Sequence, residues 1–153
     1  AGFGRQGALA YELVEDAVAR GATVTTGGQI PDRDGSFYPA TVLTGVVAGT
    51  RLLTEEIFGP VLAIVPFDTE DEAVGLANAT EYGLISYVYT QDLARGMRMI
   101  DRLETGMMGL NAGVISNAAA PFGGVKQSGI GREGSFEGID EYLTTKYTFI
   151  PKA

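Results

Sequence analysis

Residues 61–110 read VLAIVPFDTE DEAVGLANAT EYGLISYVYT QDLARGMRMI DRLETGMMGL, and this stretch decides the fold class. Val61 to Val65 is a short continuous apolar run, the pattern of a strand buried on both faces. A helix is expected next, capped by Asp68 or Thr69, with Thr69 and Glu72 at capping-box spacing and Ala73, Leu76 and Ala77 on its inner face. After Tyr82-Gly83, Leu84 to Thr90 is rich in β-formers, and Asp92 to Glu104 predicts a second helix burying Leu93, Met97, Ile100 and Leu103. Gly106 ends that helix and Met107 to Leu110 reads as a third strand. The order β-α-β-α-β with short connections predicts an α/β fold with a parallel, doubly wound sheet and right-handed crossovers.

On the N-terminal side, Leu9, Leu13 and Ala17, with Ala10, Val14 and Val18 beside them, recur at helical spacing from Ala8 to Arg20, and Gly21 suits the position that ends a helix. Ala22 to Thr26 is β-prone, Gly27-Gly28 and Asp32-Arg33-Asp34-Gly35 are turn signals, and Phe37 to Leu43 favours an extended chain. Together they predict a small peripheral β excursion. On the C-terminal side, a long glycine-rich loop leaves the third strand from Asn111 to Gly134, where open parallel sheets bind ligands. Ser135 to Leu143 predicts a short helix, and Thr144 to Ile150 an extended C-terminal strand.

Composition narrows the chemistry. With no cysteine and no histidine among 153 residues, the chain has no thiol nucleophile, no imidazole base, no disulfide and no ordinary zinc or iron site. Eleven basic against 19 acidic residues, a net charge of −8, argues against a nucleic-acid or anionic-membrane surface, because either needs a basic stripe. No apolar stretch reaches transmembrane length and the first residues lack the apolar core of a signal peptide, so the chain reads as soluble and cytoplasmic. The 22 glycines are about twice the usual share and cluster between Gly106 and Gly138, which marks tight backbone or close approach to a ligand.

Two glycine motifs fail on context. Gly2-Phe-Gly4-Arg-Gln-Gly7 fits the dinucleotide pattern, but no strand precedes it, and a frayed terminus is the simpler reading. Gly123-Gly-Val-Lys-Gln-Ser-Gly129 lacks the order of a phosphate-binding loop. Glu55-Glu56-Ile57-Phe58-Gly59-Pro60 is more informative, because an extended backbone puts Glu56 and Phe58 on one face. A carboxylate there can accept both hydroxyls of a ribose while the ring packs on the sugar or base. Residue physics alone favours a solvated turn with Phe58 tucked into the core. Ser116 and Ser128 have no base to activate them, but either hydroxyl can donate to a substrate oxygen. Phe122 is a pocket wall or the loop's anchor, and Glu133 beside Arg132 has the spacing of a surface pair.

Taken in order, Gly21-Ala-Thr-Val with Gly27-Gly28, Pro39-Ala-Thr-Val-Leu43, Glu55-Glu-Ile-Phe-Gly-Pro-Val61, Asn78, Tyr82-Gly83-Leu84 and Pro121-Phe-Gly-Gly-Val-Lys-Gln-Ser-Gly-Ile-Gly-Arg-Glu133 resemble the C-terminal portion of the NAD(P)-dependent aldehyde dehydrogenases. The resemblance runs from about Leu9 to Tyr147. It implies that Glu56 binds the nicotinamide ribose of NAD or NADP, that Phe58 packs beside the nicotinamide, and that Phe122 lines the aldehyde pocket. Glu133 is implied as a support of the proton-relay region, with a structural pairing role the alternative. Gly109-Leu-Asn-Ala-Gly-Val-Ile-Ser116, Glu137-Gly-Ile-Asp-Glu-Tyr-Leu143 and Lys146-Tyr147 resemble the succinate-semialdehyde dehydrogenases, in which the serine matching Ser116 helps hold the distal carboxylate of the substrate.

The same resemblance implies a partial catalytic domain over 1–141, an oligomerisation strand and tail over 142–153 making a homo-oligomer, and a cofactor domain that is not in this sequence. The family's nucleophilic cysteine, oxyanion-hole asparagine and general-base glutamate precede the matched segment. The expectation is therefore a chain that contributes cofactor and small-molecule aldehyde contacts to a thioester mechanism and is inactive alone. The alternatives are a non-catalytic nucleotide-binding or subunit-association module of the same fold, and a dehydrogenase acting on a different aldehyde.

Overall fold

The computed structural model describes residues 4–32 and 35–152. Gly2 and Phe3 of the first glycine motif, and Arg33 and Asp34 of the predicted turn, lie outside them. The chain divides into two compact units, residues 1–73 and 74–153.

In the first unit, α1 (Arg5–Ala19) takes Arg5 to Gly7 into its opening turn, so these residues form helix and not a phosphate cradle. Its stripe of Ala10, Leu13, Val14 and Ala17 is buried. At its end the Ala22 N–H reaches back to the Ala17 carbonyl at 3.0 Å and Gly21 stands at φ 100°, the expected stop. Strand β1 (Thr23–Thr26) runs antiparallel to β2 (Thr41–Thr44), and β2 runs parallel to β3 (Val61–Ile64). This excursion is not peripheral: β2 is the centre of the three-stranded sheet, and Leu43 is fully buried with Leu13, Val14, Ala17, Val46 and Leu52. A 3-10 turn (Arg51–Leu53) delivers Leu52 to that core.

Strand β3 corrects a second expectation. Val61 and Ala63 pack on the core, but Leu62 and Ile64 are 57% and 45% exposed, because no element of the unit covers the other face. Next comes α2 (Glu70–Asn78), which starts with the predicted box in a shifted form. The Glu72 N–H donates to Thr69 Oγ1 at 3.1 Å, and the Glu72 carboxylate accepts from the Asp68 N–H at 2.9 Å. Its buried residue is Val74, with Ala73 half-buried, while Leu76 and Ala77 are exposed.

In the second unit, β4 (Tyr82–Gly83) pairs antiparallel with β7 (Val125–Lys126), and β5 (Ile85–Val88) pairs parallel with β6 (Met107–Leu110) through the crossover helix α3 (Leu93–Arg102). Asp92 caps α3 by accepting from the Arg95 N–H at 3.2 Å. The face of α3 differs from expectation: Gly96 and Met99 turn inward, with Gly96 against Leu110, while Leu93, Met97 and Ile100 are exposed. Both faces carry apolar residues, so periodicity identifies the helix and close packing at Gly96 selects its orientation. Residues Glu137–Tyr142 form 3-10 turns where a short helix was expected. Residues 143–152 form no ladder and are exposed, since no strand edge in the unit receives them.

Candidate functional site

The predicted residues fall in both units. In the first, Arg51 places its guanidinium on Glu55 in a side-on ion pair, and this hydrogen bond holds the Glu55 carboxyl below its ordinary range. Glu56 is exposed and among the described residues no hydrogen bond or ion pair takes it, so of the two adjacent glutamates it is the one open to a ligand. Ile57 turns inward against the core. Phe58 turns outward and is 72% exposed, which overturns the reading that tucks it into the core. The segment thus presents a carboxylate and an aromatic ring on either side of an inward Ile57, a set of side chains suited to a sugar hydroxyl pair and a ring.

In the second unit the loop after β6 starts at the carboxyl ends of two parallel strands. Asn111, at φ 53°, ties those ends together, accepting from the Thr90 N–H and donating to the Thr90 carbonyl, both at 2.9 Å. The loop then turns at 117–120, where Asn117 Oδ1 accepts from the Ala119 N–H at 2.9 Å. Its two arms meet at Phe122 and Glu133, which exchange both backbone hydrogen bonds at 2.7 Å as an isolated antiparallel bridge. Ser135 fastens the returning arm by donating its N–H to the Ala118 carbonyl at 3.0 Å.

This folding-back brings Ser116, Phe122 and Glu133 to one cavity of about 320 Å³, lined also by Asn117, Ala118 and Gly134. Ser116 is exposed with its hydroxyl uncommitted among the described residues, and Phe122 is 37% exposed. Glu133 is the carboxylate of that lining. Phe122 and Glu133 also border a larger cavity of about 550 Å³, whose walls include Ser128, Arg132 and Glu141. Ser128 is committed elsewhere: its hydroxyl accepts from the Gly83 N–H at 3.0 Å and serves the fold.

Asn78, Lys126 and Arg132, which the sequence marked only within motifs or as a surface charge, fasten the backbone. Asn78 donates to the Arg102 carbonyl at 2.9 Å and accepts from the Glu104 N–H at 3.0 Å, joining the ends of α2 and α3. Lys126 donates to the carbonyls of Asn78 and Thr80 at 3.0 and 3.2 Å and pairs with Glu104 at 2.6 Å. Arg132, expected as a surface partner of Glu133, donates instead to the carbonyls of Gly124 and Gly131, both at 2.8 Å. Near the same loop, the Ser135 hydroxyl donates to Glu137 and holds its carboxyl below the ordinary range.

The geometry leaves an exposed carboxylate–ring segment in one unit and a serine–phenylalanine cavity at the end of two parallel strands in the other. The chain is 55% identical over 137 residues to the succinate-semialdehyde dehydrogenase of Paenarthrobacter nicotinovorans, covering 90% of this chain and 30% of that protein. It is 52% identical over 136 residues to the 3-sulfolactaldehyde dehydrogenase of Pseudomonas putida, covering 89% of this chain and 28% of that one. Among solved structures, an NADP-dependent enzyme of E. coli superposes with a TM-score of 0.90 at 44% identity, over 94% of this chain and 30% of the other. The chain thus spans about 30% of the length of the relatives it matches. Among the described residues no helix is long and apolar enough to cross a membrane. With the aldehyde dehydrogenase pattern matching from residue 5 to residue 148, across both units, the chain belongs to the aldehyde dehydrogenase family.

Proposed function

We propose that the chain forms the C-terminal cofactor- and substrate-facing part of a dehydrogenase that oxidises succinate semialdehyde to succinate with NAD or NADP. The observation that carries this reading is the convergence of Ser116, Phe122 and Glu133 on one cavity beyond the carboxyl ends of β5 and β6. The nicotinamide, when bound, takes up a hydride from the substrate. The exposed Glu56 carboxylate accepts hydrogen bonds from the ribose hydroxyls, and the outward ring of Phe58 packs beside the nicotinamide end. Phe122 walls the aldehyde and keeps water from it, while the Ser116 hydroxyl donates to the far carboxylate. Glu133 supports the region through which a proton leaves.

The cavity lining offers hydroxyl and amide groups and the Glu133 carboxylate but no cation, so in this reading the charge of the substrate is neutralised by groups other than these lining residues. The thiol that forms the thioester lies outside this chain, since the sequence contains no cysteine. In this reading residues 1–141 belong to a catalytic domain of the doubly wound class, to which the parallel pairs β2–β3 in one unit and β5–β6 in the other each conform. Residues 142–153 supply a strand to a second subunit, which accounts for the exposure of Tyr147, Phe149 and Ile150.

The test is Ser116→Ala in the protein expressed from its full reading frame. It lowers kcat/KM for succinate semialdehyde by about ten-fold, roughly one hydrogen bond to a charged group, and leaves an uncharged aldehyde of the same length within about two-fold. Equal losses on both substrates refute the carboxylate role. The chain of 153 residues alone produces no aldehyde-dependent NAD(P)H, and measurable turnover from it would refute the division of labour. A second reading, an aldehyde ending in a sulfonate, is favoured by the 52% identity to the 3-sulfolactaldehyde enzyme, because one hydroxyl donor suits either anion.

A further inference from the structure

Gly123, Gly124 and Gly131 of the loop stand around the side chain of Arg132. Phe122 and Glu133 are joined backbone to backbone, and the residues next to them, Gly123 and Arg132, stand side by side on the two arms. A Cβ on Gly123 would strike the Gly131 carbonyl oxygen and stand 2.8 Å from Arg132 Cδ and 3.1 Å from its Nη1. The arginine stem therefore lies across the bare Cα of Gly123. From there one terminal nitrogen donates both its protons, one to the Gly124 carbonyl and one to the Gly131 carbonyl, each at 2.8 Å. Those two carbonyls belong to opposite arms.

Resting on the aldehyde-pocket reading above, we propose that Arg132 is a positioning residue for substrate: its guanidinium staples the arms of the loop and so sets where Phe122 presents its ring. The geometry suits arginine in particular. A planar guanidinium nitrogen carries two N–H bonds at a fixed angle, so it can serve two carbonyls on opposite sides without rotating. A lysine ammonium has no such plane and its nitrogen stops short of that position. Without the staple, the arms keep the two Phe122–Glu133 bonds and the Ser135–Ala118 bond beyond them, and the isolated bridge has no neighbouring ladder pair to hold its twist. The ring then samples orientations in which it no longer walls the aldehyde. Glu56 and Phe58 lie in a different segment and are untouched by the change.

Arg132→Met, which keeps the stem and removes the donors, and Arg132→Lys are compared with the unaltered protein, expressed from its full reading frame. Arg132→Met raises KM for the aldehyde about five- to ten-fold, moves kcat and the NAD(P) KM less than about two-fold, and Arg132→Lys falls between. By hydrogen exchange, the Phe122 and Glu133 amides lose about ten-fold protection in Arg132→Met, while the α3 amides keep theirs. A fall in kcat with both Michaelis constants unmoved, or lost protection throughout the second unit, is the result of a general structural role and overturns the proposal. Unchanged protection at Phe122 and Glu133 overturns it as well. If the unaltered protein oxidises no aldehyde, the proposed function fails by itself, and the exchange data still decide whether Arg132 holds Phe122.

Discussion

Leu13, Val14, Ala17 and Leu43 of the first unit are fully buried, whereas the best-buried apolar side chains among the described residues of the second are Met99 and Val74, at 7% and 8% exposed. The first unit is held by side chains that exclude water. The second is held by hydrogen bonds that the side chains of Asn78, Lys126 and Arg132 donate to backbone carbonyls and those of Asn111 and Ser128 accept from backbone N–H groups, around glycines that let backbone approach backbone. The cavity residues Ser116, Phe122 and Glu133 sit in the second kind of construction. Apolar packing tolerates repacking with small losses, but a directed hydrogen bond holds a loop in one place.

Leu13→Ala tests the first half of this contrast most severely. Removing that side chain from a fully buried position costs about 3 kcal/mol, read as a drop in the urea midpoint; a loss below about 1 kcal/mol would show that the core is not closed. In the second unit, Gly106 is the corresponding weak point, since a Cβ there runs into the Gly123 carbonyl oxygen and comes within 2.7 Å of Gly124 Cα. Gly106→Ala costs about 2 kcal/mol and enhances exchange of the neighbouring amides, an outcome that separates steric need from turn preference. Asn78→Ala removes two hydrogen bonds and costs about 1 to 2 kcal/mol, whereas Asn78→Asp keeps the acceptor and recovers part of the loss.

The smallest effect is electrostatic. Glu55 is held below its ordinary 4.5 by the Arg51 guanidinium. Asp16 is held below 3.8 because the Arg51 N–H and the Arg20 guanidinium outweigh the desolvation that opposes its charge. Depressed carboxyl groups stabilise the folded state above their unfolded values, and that contribution is lost as pH falls through the folded ones. Unfolding midpoints of the chain therefore decline slightly below pH 4.5, and Arg51→Met flattens the decline. An equal decline in the variant would assign it to other groups.

The order of elements was legible from 61 to 110 because hydrophobic period and caps are local properties, and Thr69, Asp92 and Gly106 mark boundaries close to the observed ones. Which face an element buries was not legible, because a hydrophobic period does not say which apolar face finds a partner, and Leu62, Ile64, Leu93 and Met97 are apolar yet exposed. Residue chemistry named Ser116 as a hydroxyl donor and left Phe122 open, and family likeness gave each its particular role. Arg132 was misread because adjacent opposite charges suggest a pair, while its partners are carbonyls on residues 124 and 131, which carry no mark in a side-chain alphabet.

The bridge at Phe122 and the bonds that the Asn117 and Ala118 carbonyls accept from the Ala120 and Ser135 N–H groups beside Ser116 are made by main-chain atoms, which every residue except proline supplies alike. Replacing the side chain of Ser116 or Phe122 leaves those bonds in place, so the outline of the pocket and the identity of its lining are inherited separately. Under the proposed function, single substitutions at 116 or 122 therefore change the aldehyde accepted without first requiring a compensating mutation in the frame. That separation makes the loop a permissive place for substrate range to drift.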